Sequence, residues 1–192
     1  NFDAAMRDRI LVAAINRFSY FGIHKSTLAE IAEDVNITRY ALNEYFTDKG
    51  SLIKAAEEKA VNGYLNILQS KIDFSKPSKE MLLEIIDQRI GYFEKYYMFS
   101  NQKDNTGFFE WSEYINSIIN NVRVKELDII QEVISKESSR PAEHAAIIYK
   151  ALHTMELAFR YSFAIPKPED FEKLLEEETK LVTLLLEGIK SA

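Results

Sequence analysis

The spacing of apolar residues is the feature that most limits what this chain can fold into. Apolar residues recur at steps of three and four along almost the whole sequence, and runs that alternate like a half-buried strand are absent. Only six Gly and four Pro interrupt this pattern in 192 residues. We therefore predict an all-α protein.

The breaks in the apolar pattern give the helix boundaries. Gly22, Asn36 and the loops FSKPSK, SNQKDNT, SSRP and AIPKP separate the helices. The predicted helices cover about 3–21, two turns from Thr27, 39–46, 48–69, 78–99, 105–121, 123–138, 142–164 and 168–190.

Composition narrows the class of function. The chain has no cysteine, which excludes disulfides, thiolate zinc sites and cysteine nucleophiles. His24, His144 and His153 lack metal-ligand spacing, and no phosphate loop, nucleophile elbow or dinucleotide fingerprint occurs. We therefore expect no enzymatic activity, no metal site and no cofactor.

The length of the apolar stretches bears on location. None is long enough to cross a membrane, and the opening NFDAAMRDR lacks the apolar run of a secretory signal. We expect a cytoplasmic protein without a membrane partner.

Two short helices joined by a tight turn lie near the start of the chain. Thr27 and Glu30 have the spacing of a capping box, which begins the first of them. Asn36 occupies the turn, where a positive φ is tolerated by Asn, and Thr38 can cap the second helix. This arrangement is typical of a helix-turn-helix, whose second helix enters the major groove of DNA. The alternative is an ordinary corner of a small helical bundle.

The second short helix has a polar outer face. Leu42 and Phe46 are spaced to pack inward, whereas Arg39, Tyr40 and Asn43 point away. An Arg side chain suits guanine, an Asn side chain suits adenine, and a Tyr ring can contact a sugar or a thymine methyl group. The alternative for these three residues is simple solvation.

The run ILVAAINRFSYFGIHKSTLAEIAEDVNITRYALNEYFTDKGSLIKA, residues 10 to 55, resembles the TetR family of transcriptional repressors. The matching residues are Ala13, Ala14, Phe18, Gly22, Thr27, Ile31, Ala32, Ile37, Thr38, Leu42, Tyr45, Phe46, Lys49 and Leu52. The resemblance implies a helix-turn-helix domain over residues 1–47 and a helical effector-binding and dimerisation domain over residues 48–192. It also implies DNA contacts from Thr27, Thr38, Arg39, Tyr40, Asn43, Tyr45 and Lys49.

The chain departs from the family pattern at two positions. Asn36 stands where the family usually has Gly, and Asn43 stands where it usually has a Tyr that contacts phosphate. Residues 1–50 hold six Lys or Arg and seven Asp or Glu, a net charge of -1, and Glu44 lies on the outward face. These departures keep an alternative open, namely an interaction protein that has lost specific DNA binding.

Aromatic residues are dense in the segment 92–115, which holds nine of them. They either fill a core or line the ligand pocket that the family resemblance implies, and both a lipophilic cation and an uncharged aromatic or acyl ligand are open. Glu156 interrupts an apolar stripe, and the EEE at 176–178 indicates a solvated face with one inward member. The predicted pocket residues are Phe93, Tyr96, Tyr97, Trp111, Tyr114, Met155, Glu156 and Phe159.

The last two helices carry long apolar faces. The stretch LVTLLL of the ninth helix is too hydrophobic to leave in water. We predict a homodimer formed through helices eight and nine, as the family resemblance also implies. The predicted partners are thus double-stranded operator DNA, a small-molecule effector and a second copy of the chain.

Overall fold

The computed structural model describes residues 2–100, 108–163 and 165–191, and within these ranges the side chains of residues 2, 100, 108–119 and 191 are left undescribed. Every regular element in the described ranges is a helix, which confirms the all-α prediction. The helices are α1 (Phe2–Phe21), α2 (Leu28–Asp34), α3 (Arg39–Asn43), α4 (Lys49–Lys71), α5 (Ser78–Lys95), α6 (Tyr97–Ser100), α7 (Phe108–Ile134), α8 (Pro141–Ser162) and α9 (Pro168–Ser191).

The chain divides into two compact units. The first consists of Asn1–Gly63 and Lys95–Thr106, and the second of Tyr64–Glu94 and Gly107–Ala192. The helix α4 contributes its first fifteen residues to one unit and the rest to the other. The predicted functional boundary after residue 47 stays a prediction, because packing alone does not test it.

In the first unit, α1 packs against α2 and α6, and α2 packs against α3. The helix α1 ends where Gly22 takes a φ of 81°, a value that favours glycine because it has no Cβ. Rings of Phe18 and Phe99 lie 5.3 Å apart between centroids, which ties α1 to α6. The large, fully buried side chains of this unit include Ile10, Phe18, Ile31, Leu42 and Leu52.

The second unit is built on contacts of α8 with α7 and α9. Its fully buried side chains include Ile85, Ile86, Ile130, Ile134 and Ile148. Beside them lies an aromatic layer, which we define as Phe93 of α5, Phe159 of α8 and Phe171 of α9.

One predicted helix boundary is wrong at the aromatic segment. The helix predicted over 78–99 ends at Lys95, and α6 follows after a turn at Tyr96. The break allows Tyr97 and Phe99, each 2% exposed, to pack into the core of the first unit.

The two helices predicted over 105–121 and 123–138 form one helix, α7, from residue 108 onward. The Asn pair at 120 and 121 does not end it, because Asn costs only a few tenths of a kcal/mol, roughly, in a helix that contains no Gly or Pro. Asn120 instead accepts a hydrogen bond from Arg123, one turn on, at 2.9 Å.

The third helix is also shorter than its predicted range of 39–46. The amides of Tyr45 and Phe46 both donate to the carbonyl of Leu42, so the last turn tightens after Asn43. Phe46 is still buried, with the guanidinium of Arg7 lying 5.0 Å from its ring centroid.

None of the helices in the described part of the chain combines the length and the apolar character needed to cross a membrane.

Candidate nucleic-acid interface and ligand site

The capping box predicted at the start of α2 is present. The hydroxyl of Thr27 accepts from the amide of Glu30 at 3.2 Å, and the carboxylate of Glu30 accepts from the amide of Thr27 at 2.8 Å. Hydrogen bonds from the Thr27 side chain and backbone lower the pKa of Glu30. The box fixes the first turn of α2 at the protein surface.

The turn between α2 and α3 is set by Asn36, which has a φ of 57°. The amide of Asn36 donates to the carbonyl of Glu33, and the amide of Ile37 donates to the carbonyl of Ala32, both at 3.0 Å. This pair of bonds is the Schellman arrangement, which requires a left-handed residue where Asn36 stands. Arg9 supports the turn by donating to the carbonyl of Val35 at 3.2 Å.

The helix α3 presents a polar face to solvent. Thr38 caps it, since its hydroxyl accepts from the amide of Ala41 at 3.1 Å. Leu42 is fully buried beneath it, whereas Tyr40 is 77% exposed and Arg39 is exposed beside it. Asn43 and Glu44 are exposed as well.

Two members of the predicted DNA-contact set form interactions within the unit and remain partly exposed. The ammonium of Lys49 donates to the carbonyl of Ile23 at 2.6 Å, and burial lowers the pKa of Lys49. Tyr45 is half-buried, and burial together with a hydrogen bond to Asp3 raises its pKa. Their DNA contacts, like those of the other five residues, stay predictions.

Most positive charge in this unit is engaged within the protein. Arg17 donates to both oxygens of Asp34 at 2.5 and 2.9 Å, and Lys59 pairs with Asp8 at 2.6 Å. Arg39 makes no side-chain hydrogen bond in the described part of the chain. The guanidinium of Arg39 is therefore available to donate hydrogen bonds to a partner.

The predicted ligand-pocket residues do not all fall in one unit. Phe93, Met155, Glu156 and Phe159 belong to the second unit, whereas Tyr96 and Tyr97 belong to the first. The side chains of Trp111 and Tyr114 lie outside the described residues.

The second unit contains a buried polar cluster that the pocket prediction only touched. We define it as Tyr64 of α4, Arg89 of α5, Glu126 of α7, Glu156 of α8 and Glu178 of α9. Sequence reasoning identified Glu156 as the odd member of its stripe and one inward Glu in the EEE run, and it missed the rest. The signal that it missed is a charged residue at a position where the apolar spacing predicts burial. Arg89 occupies such a position, on the apolar stripe of α5 with Ile85, Ile86, Ile90 and Phe93.

Arg89 joins two carboxylates within this cluster. Its guanidinium donates to both oxygens of Glu156 at 2.9 Å and to Glu126, which also accepts from the hydroxyl of Tyr64. Burial lowers the pKa of Arg89, but the charges of Glu126 and Glu156 outweigh this and hold it well above its usual value. Burial raises the pKa of Glu156 in spite of Arg89.

Glu178 is the unpaired member of the cluster. It is 0% exposed, and neither side-chain oxygen accepts a hydrogen bond among the described residues. Burial, with a smaller contribution from Glu156, raises its pKa to about 9.

An apolar groove of about 230 Å³ runs between α8 and α9. Leu184 and Ile147, which line it, are 65% and 48% exposed. The full lining is His144, Ile147, Ile148, Leu184, Leu185, Gly188 and Ile189. Over the described residues no group of three or more His, Cys, Asp and Glu is placed to hold a metal ion.

The N-terminal region matches a known protein family. Residues 10–56 match the profile described as bacterial regulatory proteins, tetR family. No curated protein sequence matches the chain.

Solved structures match over nearly the whole chain. A transcriptional regulator from Cytophaga hutchinsonii ATCC 33406 is 22% identical with a TM-score of 0.83, covering 95% of this chain and 97% of its own. A tetR-family transcriptional regulator from Streptomyces coelicolor is 18% identical with a TM-score of 0.70, covering 95% and 82%. A protein from Saccharomonospora viridis, whose crystal structure is a complex with choline, is 11% identical with a TM-score of 0.73, covering 94% and 96%. At these identities the likeness establishes the fold.

Proposed function

We propose that this chain, whose residues 10–56 belong to the TetR family of bacterial regulatory proteins, is a homodimeric repressor released from operator DNA by a small, largely apolar or aromatic molecule. The observation that carries the DNA-binding half is the exposed face of α3, held by the Asn36 turn between two capped helices.

Base reading is assigned to the outer face of α3. Arg39 donates to guanine and Asn43 pairs with adenine, while Tyr40 packs on the sugar or a thymine methyl group. The starts of α2 and α3, at Thr27 and Thr38, lie where free amides and the helix dipole favour a phosphate. Since several basic side chains are engaged within the protein, affinity depends on few contacts and on dimerisation.

Dimerisation is assigned to the groove between α8 and α9. Leu184 and Ile147 expose apolar surface there that a second copy of the chain would cover. A two-fold dimer places two copies of α3 in successive major grooves, roughly 34 to 36 Å apart.

The release step is a population shift carried by α4, a single helix from Lys49 to Lys71 that takes part in both units. A bound effector favours a tilt of this helix, which changes the spacing of the two α3 helices. The choline complex of the Saccharomonospora viridis protein supports a small-molecule effector on this fold.

A second candidate function is an interaction protein that keeps the helix-turn-helix fold without specific DNA binding. The observation that favours it is charge, because residues 1–50 carry a net charge of -1 and Glu44 lies exposed next to the recognition face. A carboxylate there repels phosphate unless it accepts from a cytosine amino group.

The test compares three variants on a selected operator by fluorescence anisotropy. We expect Arg39→Ala to weaken binding by about 1 to 3 kcal/mol and to relax preference at one base pair, whereas Lys49→Ala weakens all sequences alike and lowers the salt slope. Arg140→Ala, which removes an exposed Arg from the other unit, is the matched control and should bind like the parent. Equal loss of specificity in the Arg39 and Lys49 variants would contradict the assignment.

A further inference from the structure

Glu178 is a buried carboxylate with two unused acceptor atoms. Its residue is 0% exposed, and neither oxygen has a hydrogen-bond partner within the described part of the chain. Buried polar groups in folded proteins almost always form hydrogen bonds. The unpaired oxygens of Glu178 therefore indicate a bound molecule that donates hydrogen bonds to them.

The charge balance around Glu178 specifies the donor. Three carboxylates, those of Glu126, Glu156 and Glu178, share one guanidinium, and Arg89 already donates to the first two. Burial and the nearby Arg89 lower the pKa of His153, so this ring is uncharged at neutral pH and adds no positive charge to the cluster. Once Glu178 is ionised, the cluster has an excess of negative charge, so the group that stabilises the ionised form is a cation that can donate hydrogen bonds.

An aromatic surface accompanies the polar cluster on the same three helices. Each helix supplies one charged residue and, one or two turns away, one ring of the aromatic layer. The pairs are Arg89 and Phe93 on α5, Glu156 and Phe159 on α8, and Glu178 and Phe171 on α9. The ring centroids lie 4.9 to 5.7 Å apart. Polar and aromatic groups are thus separated by about one to two helical turns, roughly 5 to 10 Å.

We propose that Glu178 binds the protonated amine of a small molecule with a compact aromatic or apolar body, and that this amine is the effector. The inference rests on the proposed function and names the chemical class of the ligand. The amine donates to the two free oxygens of Glu178, and its body contacts the aromatic layer.

Binding of the amine is coupled to release of a proton. Burial raises the pKa of Glu178 to about 9, so its carboxyl group is protonated at neutral pH and must give its proton to solvent before it can pair with a cation. The charged and titratable groups that act on it from the surrounding helices are Glu156 of α8, Arg89 of α5 and Glu126 of α7. An alkylamine stays charged from pH 6 to 8, so its affinity rises by about tenfold per pH unit in this range.

The experiment uses three probes that differ in one group: 2-phenylethylamine, 2-phenylethanol and phenylacetate. Isothermal titration of the full chain at pH 6, 7 and 8 should detect the amine alone, with affinity rising with pH and protons released to the buffer. Glu178→Gln, which resembles the protonated carboxyl in shape, should bind the amine at least tenfold more weakly at pH 8 and show no pH slope. Glu176→Gln, which removes a charge from the exposed side of the same helix, is the matched control and should behave like the parent.

The inference is overturned if the alcohol or the carboxylate binds as tightly as the amine, if no probe binds at millimolar concentration, or if Glu178→Gln keeps the parent affinity. Operator binding is measured separately. Amine binding without any change in operator affinity would overturn the assignment as effector. Failure of the chain to bind any operator would overturn the proposed function and leave the amine site standing.

Discussion

Removal of Arg89 should destabilise the protein more than removal of any exposed basic residue. Arg89 is 6% exposed and donates to Glu126 and Glu156, whose side chains are 1% and 15% exposed. Arg89→Leu leaves two carboxylates in the core without a cation. Loss of one partner of a buried ion pair costs about 3 to 5 kcal/mol in the free energy of unfolding, and we expect a loss of this size at pH 7.

The loss should depend on pH with a definite sign. Without Arg89, burial raises the folded-state pKa of the two carboxyl groups above their values in the unfolded chain. The folded variant then binds protons that the unfolded chain has released, so its stability falls as pH rises. The destabilisation of Arg89→Leu should therefore be larger at pH 8 than at pH 5.

Urea unfolding followed by circular dichroism measures both effects. The protein concentration is kept fixed, because a dimer's apparent stability depends on concentration. Arg140→Leu is the control, since Arg140 pairs with Glu143 at 3.1 Å with its side chain 60% exposed, and it should cost less than about 1 kcal/mol. Adding Glu126→Gln and Glu156→Gln to Arg89→Leu should restore most of the lost stability. The reasoning is refuted if Arg89→Leu unfolds within about 1 kcal/mol of the parent, or if its loss is the same at pH 5 and pH 8.

Three further predictions follow from the two units. In the parent, the free energy of unfolding should fall by up to about 1.4 kcal/mol per pH unit between about pH 5 and 9, because the folded Glu178 carboxyl group keeps a proton that the unfolded one has released. Glu178→Gln should remove this fall. Equal slopes of unfolding free energy against pH in parent and variant would contradict the prediction. Asn36→Ala should cost about 1 to 2 kcal/mol in thermal unfolding because of its φ of 57°, whereas Asn36→Gly should not destabilise. Leu184→Glu should convert a dimer into a monomer by sedimentation, whereas Val12→Glu, also at an exposed apolar position, should leave the dimer intact; a dimer in both variants would reject the α8 and α9 interface.

The helix-turn-helix could be read from the sequence because its signals are local. The Thr27 capping box, the Asn36 turn and the Thr38 cap each depend on residues within a few positions of one another, and the structure has all three. Ala14 and Phe18, two of the residues that carry the family resemblance, lie in the core.

The errors and omissions concern interactions that are distant in sequence. The break at Tyr96 depends on burial of Phe99 against Phe18, about eighty positions earlier, which no local rule detects. The polar cluster joins Arg89 to Glu126 and Glu156, which are 37 and 67 positions away. Spacing shows only that a charge occupies a core position, and the partner becomes visible when the helices pack.

The measurement that tests the account most directly is selection of bound fragments from random double-stranded DNA by the full chain. The account predicts enrichment of a palindromic site whose two half-sites lie about one helical turn apart, with guanine at a position that loses its preference in Arg39→Ala. Recovery of unrelated sequences, or of a single half-site bound by a monomer, would contradict it.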